Sequence, residues 1–154
     1  MWEQIITDAG ARYSVPESWI NAVIDTESSR NPNAYRWEPA RQEASYGLMQ
    51  ILASTAKGLG FTGDVFNGLY DPAVNIDLGA KLLGQLRGRY GDDFTRVYSA
   101  YNSGKPDTWQ TSAQVAANVK RALGNLANYA EGPAGAGVIV LAVVGIVLYL
   151  AMRK

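Results

Sequence analysis

Two side chains that carry much of enzyme chemistry are missing from this chain of 154 residues, which contains no cysteine and no histidine. Without cysteine no disulfide bond can form, so cysteine usage says nothing about the redox compartment. The two absences exclude Cys–His and Ser–His nucleophile systems and zinc sites built on these ligands. Any hydrolytic or lyase chemistry must therefore run on carboxylates, hydroxyls, lysine, or amide and phenol groups.

An excess of either charge is also missing. Lysine and arginine together number 14, as do aspartate and glutamate, so the formal net charge is zero. A balanced charge gives no reason to expect a nucleic acid or a strongly acidic partner. The first ten residues, MWEQIITDAG, lack the positive flank and apolar core of a signal peptide, and we expect no cleavable export signal.

One long stretch near the C-terminus lacks charge altogether: residues 132–152 read GPAGAGVIVLAVVGIVLYLAM. As a helix this stretch is about 30 Å long, which matches the hydrocarbon core of a bilayer. It is apolar on all sides, unlike the amphipathic helices of a globular core. The sequence predicts one transmembrane helix with its core at 138–152, joined through a hinge at 131–137 to a globular domain at 1–130.

The globular part has the apolar spacing of an all-α domain. Asp71-Pro72 is a helix-start signal, with aspartate as the cap and proline as the first helical residue. Residues 31–46 are polar and aromatic without a clear period, which predicts a long loop with at most a small hairpin. The predicted helices run from about Trp2 to Tyr13, from near Pro16 past Glu27, from Pro72 to Gly91, from Phe94 to Tyr101, and from about Ser112 to Tyr129.

The segment WINAVIDTESSRNP, residues 19–32, places a carboxylate where an apolar residue is expected. At about 100° of turn per residue, Glu27 lies roughly 40° from Val23, near the centre of the apolar stripe. Asp25 lies on the opposite face, where we expect an ordinary solvated charge. Partial burial raises the pKa of a carboxyl and suits a general acid near neutral pH. In the alternative interpretation, the helix ends before Pro32 and Glu27 turns out to solvent.

Three stretches carry a resemblance to a known family: ESSRNPNA at 27–34, SYGLMQI at 45–51 and AYNSG at 100–104. Together they resemble the soluble-type lytic transglycosylase domain, a lysozyme-like family that cleaves the glycan strands of peptidoglycan. The resemblance covers about residues 10–125. It implies a mainly helical, lysozyme-like fold and an enzyme that needs neither a metal ion nor a cofactor.

The resemblance implies roles for four residues. Glu27 takes the place of the catalytic acid, and Gln50, Tyr101 and Asn102 match substrate-binding positions. The amides of Gln50 and Asn102 can donate to and accept from N-acetyl groups, and Tyr101 is expected to hydrogen-bond Glu27. Purely structural interpretations remain open: a backbone cap for Gln50, core packing for Tyr101 and a helix-end turn for Asn102.

The implied reaction uses one carboxylate twice. Glu27 protonates the oxygen between N-acetylmuramic acid and N-acetylglucosamine, and the C6 hydroxyl then closes on C1 to give a 1,6-anhydro product. One alternative is a hydrolytic muramidase, in which Glu38, Glu43 or Asp64 supplies a second carboxylate. A second alternative is a catalytically silent glycan-binding membrane protein.

Three aromatic residues of the long loop, Tyr35, Trp37 and Tyr46, are predicted as sugar-stacking platforms, with packing as the alternative.

The apolar tail predicts a lipid bilayer as a partner. Because peptidoglycan lies outside the inner membrane, we expect a location in the membrane of a bacteriophage virion, beside other virion membrane proteins, where the domain assists genome delivery. The alternative is a bacterial inner membrane.

Overall fold

The computed structural model describes residues 2–129, and helices dominate this part of the chain. The mainly helical prediction is confirmed, and the long helices begin and end within about two residues of their predicted bounds. The elements in chain order are α1 (Glu3–Tyr13), α2 (Glu17–Ser28), β1 (Tyr35–Glu38), β2 (Glu43–Tyr46), β3 (Ile51–Leu52), α3 (Ala53–Gly58), α4 (Val65–Gly68), α5 (Pro72–Tyr90), α6 (Phe94–Ser103), a 3₁₀ turn (Thr108–Gln110) and α7 (Ala113–Ala127).

Side-chain caps fix where several helices begin. The Asp71 carboxylate accepts hydrogen bonds from the backbone N–H groups of Ala73 and Val74, and Pro72 opens the helix, as the sequence predicts. Such a cap satisfies donors that have no partner inside the helix. The same device starts α4, α6 and α7, where the caps are Asp64, Asp93 and Ser112.

Helix α2 lies at the centre of the core. Ile20, Val23 and Ile24 are fully buried, and α2 packs against α1, α5 and α7. The helix stops where Ser29 adopts a left-handed conformation with φ of 50°. Glu27 therefore occupies the last turn of a buried helix, on the side that the apolar spacing predicted.

The predicted long loop at 31–46 contains the hairpin of β1 and β2, and β3 at Ile51–Leu52 extends it to a small antiparallel sheet. Strand β2 lies between β1 and β3, with Arg36 opposite Ser45 and Ser45 opposite Leu52. The alternating pattern of a strand is missing here because the first three residues of β1 are all exposed, so neither face of that strand needs apolar residues. The small hairpin that the prediction allowed is present as β1 and β2, and the pairing of β3 with β2 was not predicted.

A buried amide attaches the turn after β2 to helix α5. Asn75 is fully buried; its side-chain nitrogen donates to the backbone oxygens of Tyr46 (2.9 Å) and Leu69 (2.8 Å). Its side-chain oxygen accepts the N–H of Met49 at 2.7 Å. The amide thereby satisfies three backbone groups that would otherwise be buried without partners.

Glycine is required at two positions for this attachment. Gly47 has φ of +72°, and a Cβ there would lie 2.4 Å from the Leu69 carbonyl oxygen and 2.5 Å from the Asn75 amide nitrogen. On α5, a Cβ at Gly79 would lie 2.3 Å from the Met49 sulfur. Gly47 therefore lets the turn approach α5 more closely than a side chain would allow, and Gly79 leaves room for the side chain of Met49.

The predicted membrane segment lies outside the described residues. This holds for the hinge at 131–137 and for the transmembrane span at 132–152, both of which remain predictions from sequence. None of the helices between Trp2 and Tyr129 combines the length and apolar character needed to cross a bilayer.

We predict that Asn75→Ala destabilises the domain by roughly 2–4 kcal/mol, because three buried backbone groups lose their partner. Urea unfolding measures this change, with Asn33→Ala, at an exposed asparagine, as the matched control. The control should stay within about 0.5 kcal/mol of the wild type. Equal stability of the two variants would show that the attachment of the turn to α5 does not depend on this amide.

Candidate active site

Glu27 opens onto a cavity of about 470 Å³ that helices α2, α5, α6 and α7 enclose together with the sheet. Its walls carry amides, charges and a few apolar groups rather than a continuous apolar surface. Each element contributes side chains to the lining, among them Glu27 of α2, Arg36 and Ser45 of the sheet, Leu82 and Arg89 of α5, Tyr101 and Asn102 of α6, and Gln114 and Asn118 of α7.

Glu27 is half-buried, with its carboxyl group held among protein atoms and a remaining surface open to the cavity. The hydroxyl of Tyr98 donates a hydrogen bond of 2.7 Å to its Oε1 atom. Glu27 also lies in the last turn of α2, where the free carbonyl groups of the helix disfavour a negative charge. The alternative that Glu27 turns out to bulk solvent is therefore wrong.

Opposing effects act on the pKa of Glu27. Burial is the largest and raises the pKa of the carboxyl above its ordinary value, because the ionised form loses hydration. Hydrogen bonds from Tyr98 and Asn102 and the positive charges of Arg36 and Arg121 lower it by smaller amounts. The net shift is upward, which is the direction that a proton donor near neutral pH requires.

Tyr98 is the site residue that the sequence did not single out. Its ring is 1% exposed and stacks against Phe94 and Tyr101 at centroid distances of 5.9 Å and 6.3 Å. Burial, followed by the neighbouring Glu27 carboxylate, raises the pKa of Tyr98, so the phenol stays protonated and donates. The only signal in the sequence was its position one helical turn before Tyr101, which also fits ordinary core packing.

Tyr101 does not make the expected hydrogen bond to Glu27, and that expectation is wrong. Its hydroxyl donates instead to the backbone oxygen of Met49, at 2.7 Å. The ring forms part of the cavity wall. Tyr101 thus ties α6 to the turn that Asn75 fixes from the other side, and its contact with a substrate remains a prediction.

Gln50 lines the cavity, but its amide is already engaged with the protein. Its nitrogen donates to the backbone oxygens of Ala34 (3.2 Å) and Gly47 (3.1 Å), and its oxygen accepts the hydroxyl of Ser45 at 2.9 Å. Both donor hydrogens are thus used, and one acceptor site on the oxygen remains. These contacts match the alternative interpretation, in which the side chain of Gln50 caps backbone groups.

Asn102 lies in the last turn of α6, which ends at Ser103 and is capped by Gly104 with φ of 85°. Its oxygen accepts a hydrogen bond from Asn118 of α7 at 3.3 Å, and its amide contacts Glu27. Asn102 therefore has a role beyond forming a helix-end turn. Its amide sits beside the carboxylate and faces the cavity.

Of the three candidate second carboxylates, one lines the cavity. Glu38 lies on β1 and pairs with Arg36 at 2.6 Å. Glu43 instead accepts hydrogen bonds from the backbone and hydroxyl of Ser54, at the start of α3. Asp64 caps α4 through the N–H of Phe66. Glu43 and Asp64 are therefore engaged in holding helix starts.

The predicted aromatic platforms do not face the cavity. Along β1 side chains alternate between faces, and Arg36 and Glu38 take the cavity face. Tyr35 and Trp37, 55% and 49% exposed, lie on the other face. Tyr46 pairs with Tyr35 across the strands and is 7% exposed. The platform hypothesis is wrong for this cavity because the sheet turns these rings away from it.

Asp25 is not the ordinary solvated charge that its helical position predicted. Its carboxylate pairs with Arg30 at 3.0 Å and accepts a hydrogen bond from the hydroxyl of Tyr129. Arg30 also donates to Tyr129 and to Asn21. These contacts fasten the end of α7 to the surface of α2. Helical spacing alone could not show that the C-terminal end of the domain folds back over this face.

The residues from Trp2 to Tyr129 include no group of three or more acidic side chains placed to hold a metal ion.

The sequence matches the profile of the family described as "Transglycosylase SLT domain" over residues 4–123. A relative named "Transglycosylase", from Enterobacteria phage PRD1, is 34% identical over 108 residues, covering 70% of this chain and 37% of the relative. "Membrane-bound lytic murein transglycosylase C" of Histophilus somni (strain 2336) is 38% identical over 113 residues, covering 65% of this chain and 30% of the relative.

A solved structure shares the fold. The crystal structure of the 70 kDa soluble lytic transglycosylase of Escherichia coli matches with a TM-score of 0.70 at 23% identity, over 83% of this chain and 24% of that chain. At this identity the match concerns the fold alone. The matched regions make up 37% and 30% of the two curated relatives, so this chain spans about a third of their length.

We predict that Tyr98→Phe raises the pKa of Glu27 further, because the variant loses a hydrogen bond that favours the carboxylate and keeps the ring. Carboxyl-detected NMR of the ¹³C-labelled protein follows the titration, with Glu27→Gln identifying the signal. Tyr101→Phe is the matched control, since its hydroxyl binds Met49 rather than Glu27. A pKa that is unchanged in Tyr98→Phe, or shifted equally in Tyr101→Phe, would contradict the assignment.

Proposed function

Because the chain belongs to the transglycosylase SLT domain family, we propose that it is a lytic transglycosylase that cleaves peptidoglycan between N-acetylmuramic acid and N-acetylglucosamine. The products are a strand ending in 1,6-anhydromuramic acid and a strand with a free N-acetylglucosamine hydroxyl. Peptidoglycan is the proposed partner, and the reaction consumes no water.

One observation carries this proposal: the half-buried carboxyl group of Glu27 at the cavity wall, with its raised pKa and with Tyr98 and Asn102 as donors. A binding module gains nothing from a carboxyl group that is costly to ionise in this position. A general acid does, because a raised pKa favours the protonated form that donates, and hydrogen bonds stabilise the conjugate base once the proton has left.

In the proposed reaction Glu27 acts twice, and the N-acetyl group of the substrate acts between its two proton transfers. Protonated Glu27 donates its proton to the glycosidic oxygen as the bond from that oxygen to C1 breaks. The N-acetyl oxygen of the muramic residue bonds to C1 and takes up the developing positive charge. The Glu27 carboxylate then removes the proton of the C6 hydroxyl, whose oxygen bonds to C1 while the N-acetyl oxygen leaves. Between the two proton transfers, hydrogen bonds from Tyr98 and Asn102 stabilise the ionised carboxyl.

Hydrolysis to a reducing muramic end is the second candidate, and one observation favours it. Glu38 lines the same cavity as Glu27, where a second carboxylate would position a water molecule or act as the nucleophile. Its pairing with Arg36 at 2.6 Å argues for a structural role, because the guanidinium already engages one of the two carboxylate oxygens. We therefore favour the anhydro product.

We further propose that the protein works from a membrane in a bacteriophage particle, where it opens the cell wall for genome delivery. The similarity to a phage transglycosylase and the uncharged segment 132–152 support this proposal. A bacterial membrane is the alternative, and the similarity to membrane-bound transglycosylases supports it.

We expect Glu27→Gln to abolish clearing of a peptidoglycan gel, a loss of at least about 10³-fold, because the amide cannot transfer a proton. Glu17→Gln, an exposed glutamate of the same helix, is the matched control and should retain activity. Equal clearing by the wild type and Glu27→Gln would remove the assignment.

Mass spectrometry of the released fragments distinguishes the two reactions. Muramic ends that are one water lighter than hydrolysed ends indicate the anhydro product, and Glu38→Gln should leave their yield unchanged. Reducing muramic ends that disappear in Glu38→Gln would instead establish a muramidase.

For the location, we expect the protein to co-purify with the internal membrane of purified particles, as measured by immunoblotting of gradient fractions. Its absence from particles together with its presence in host membranes would exclude the phage location and leave the enzyme assignment intact.

A further inference from the structure

We propose that Arg41 and Arg89 bind the carboxylates of the peptides that branch from the glycan strand, so that this cavity favours strands that carry stem peptides. The proposal rests on the proposed function and names the form of peptidoglycan that the site recognises. It assigns a specificity role to two residues that take no part in the proton transfers.

The first observation is that these two guanidinium groups have no partner within residues 2–129. The other arginines of that range all have one. Five of them pair with a carboxylate, and Arg121 donates to Asn118. The five ion pairs are Arg12–Asp77, Arg30–Asp25, Arg36–Glu38, Arg87–Asp92 and Arg96–Asp107. Arg41 and Arg89 are thus the two arginines of the described domain that remain available to an anion.

The second observation is their placement. Arg41 lies at the turn between β1 and β2, and Arg89 lies in the last turn of α5, yet both side chains line the cavity that holds Glu27. A cation in the last turn of a helix is favoured by the helix dipole, which explains Arg89 in part. No such effect acts on Arg41. The fold therefore brings two unpaired positive charges from distant elements to one cavity.

These charges are not needed to adjust the acid. The cations that lower the pKa of Glu27 most are Arg36, on the cavity face of β1, and Arg121, on α7. Arg89 lies instead beside the apolar side chains of Leu82 and Leu86 in the cavity lining. This wall combines positive charge with apolar surface, whereas an uncharged sugar is held mainly by amides and hydroxyls.

Peptidoglycan supplies a matching ligand. Its sugar backbone is uncharged, whereas the peptides attached to the muramic lactyl groups carry free carboxylates and small aliphatic side chains. Guanidinium groups bind carboxylates through two parallel hydrogen bonds, which gives direction as well as attraction. A strand stripped of its peptides keeps only the lactyl carboxylate beside each muramic ring and has lost the carboxylates further out along the peptide, which are the ones assigned to Arg41 and Arg89. Phosphate groups of other wall polymers would compete for the same two side chains, and the test must separate them.

The test measures binding without cleavage. The full chain carrying Glu27→Gln is titrated with peptide-bearing glycan strands and with the same strands after enzymatic removal of the peptides. We expect tighter binding to the peptide-bearing strands. Adding Arg41→Gln and Arg89→Gln should weaken binding to these strands on the order of tenfold and leave binding to stripped strands unchanged.

The matched control replaces Lys57 and Lys120, two exposed lysines outside the cavity lining, with glutamine, which removes the same charge. The proposal is overturned by equal weakening in this control or by equal weakening for stripped strands. It is also overturned if a phosphate-bearing wall polymer free of peptide binds as tightly as the peptide-bearing strands. Because binding is measured in an inactive variant, absence of lytic activity in the parent protein would contradict the proposed function alone.

Discussion

The hydrogen bond from Tyr98 to Glu27 is the contact on which the site depends. Burial alone would leave a carboxyl group that loses its proton with difficulty and whose ionised form is poorly stabilised. Full hydration alone would give a carboxyl already ionised at neutral pH. Glu27 lies between these limits, because the protein removes most of its water while Tyr98 and Asn102 supply donors in return. A single carboxyl that both donates and reclaims a proton needs this balance.

The rest of the domain holds Tyr98 and Glu27 in position relative to each other. Tyr98 belongs to a column of rings in which Trp19 contacts Phe94 and Phe94 stacks on Tyr98, so α6 is held against α2. Asn125 of α7 donates to Thr26, the residue before Glu27, and thereby locks α7 onto the same turn. On the opposite wall, the buried Asn75 sets the position of the turn after β2, which carries Gln50. The cavity is therefore a gap between elements that are each fixed separately.

The two faces of the small sheet carry different side chains with different roles. Arg36, Ser45 and Leu52 lie in one row across the three strands and line the cavity. The opposite face carries Tyr35 and the buried Tyr46, which packs edge-on against Tyr70. Sequence reasoning expected the aromatic residues of this segment to meet the substrate, but alternation along the strand sends the charged residues there instead. That Arg36 and Glu38 share the cavity face could be assigned only once the strands had been placed.

The sequence by itself determined the features that depend on neighbours along the chain. Helix bounds, the Asp71 cap and the place of Glu27 on the buried side of α2 all follow from spacings of a few residues. The tertiary structure alone decided which groups meet Glu27. Tyr98 and Tyr101 are three residues apart on one helix face. Because of the way α6 packs against α2 and against the turn at Met49, Tyr98 donates to the Glu27 carboxylate, whereas Tyr101 donates to the backbone oxygen of Met49. Periodicity says which side of an element is buried, but only packing between elements says what it is buried against.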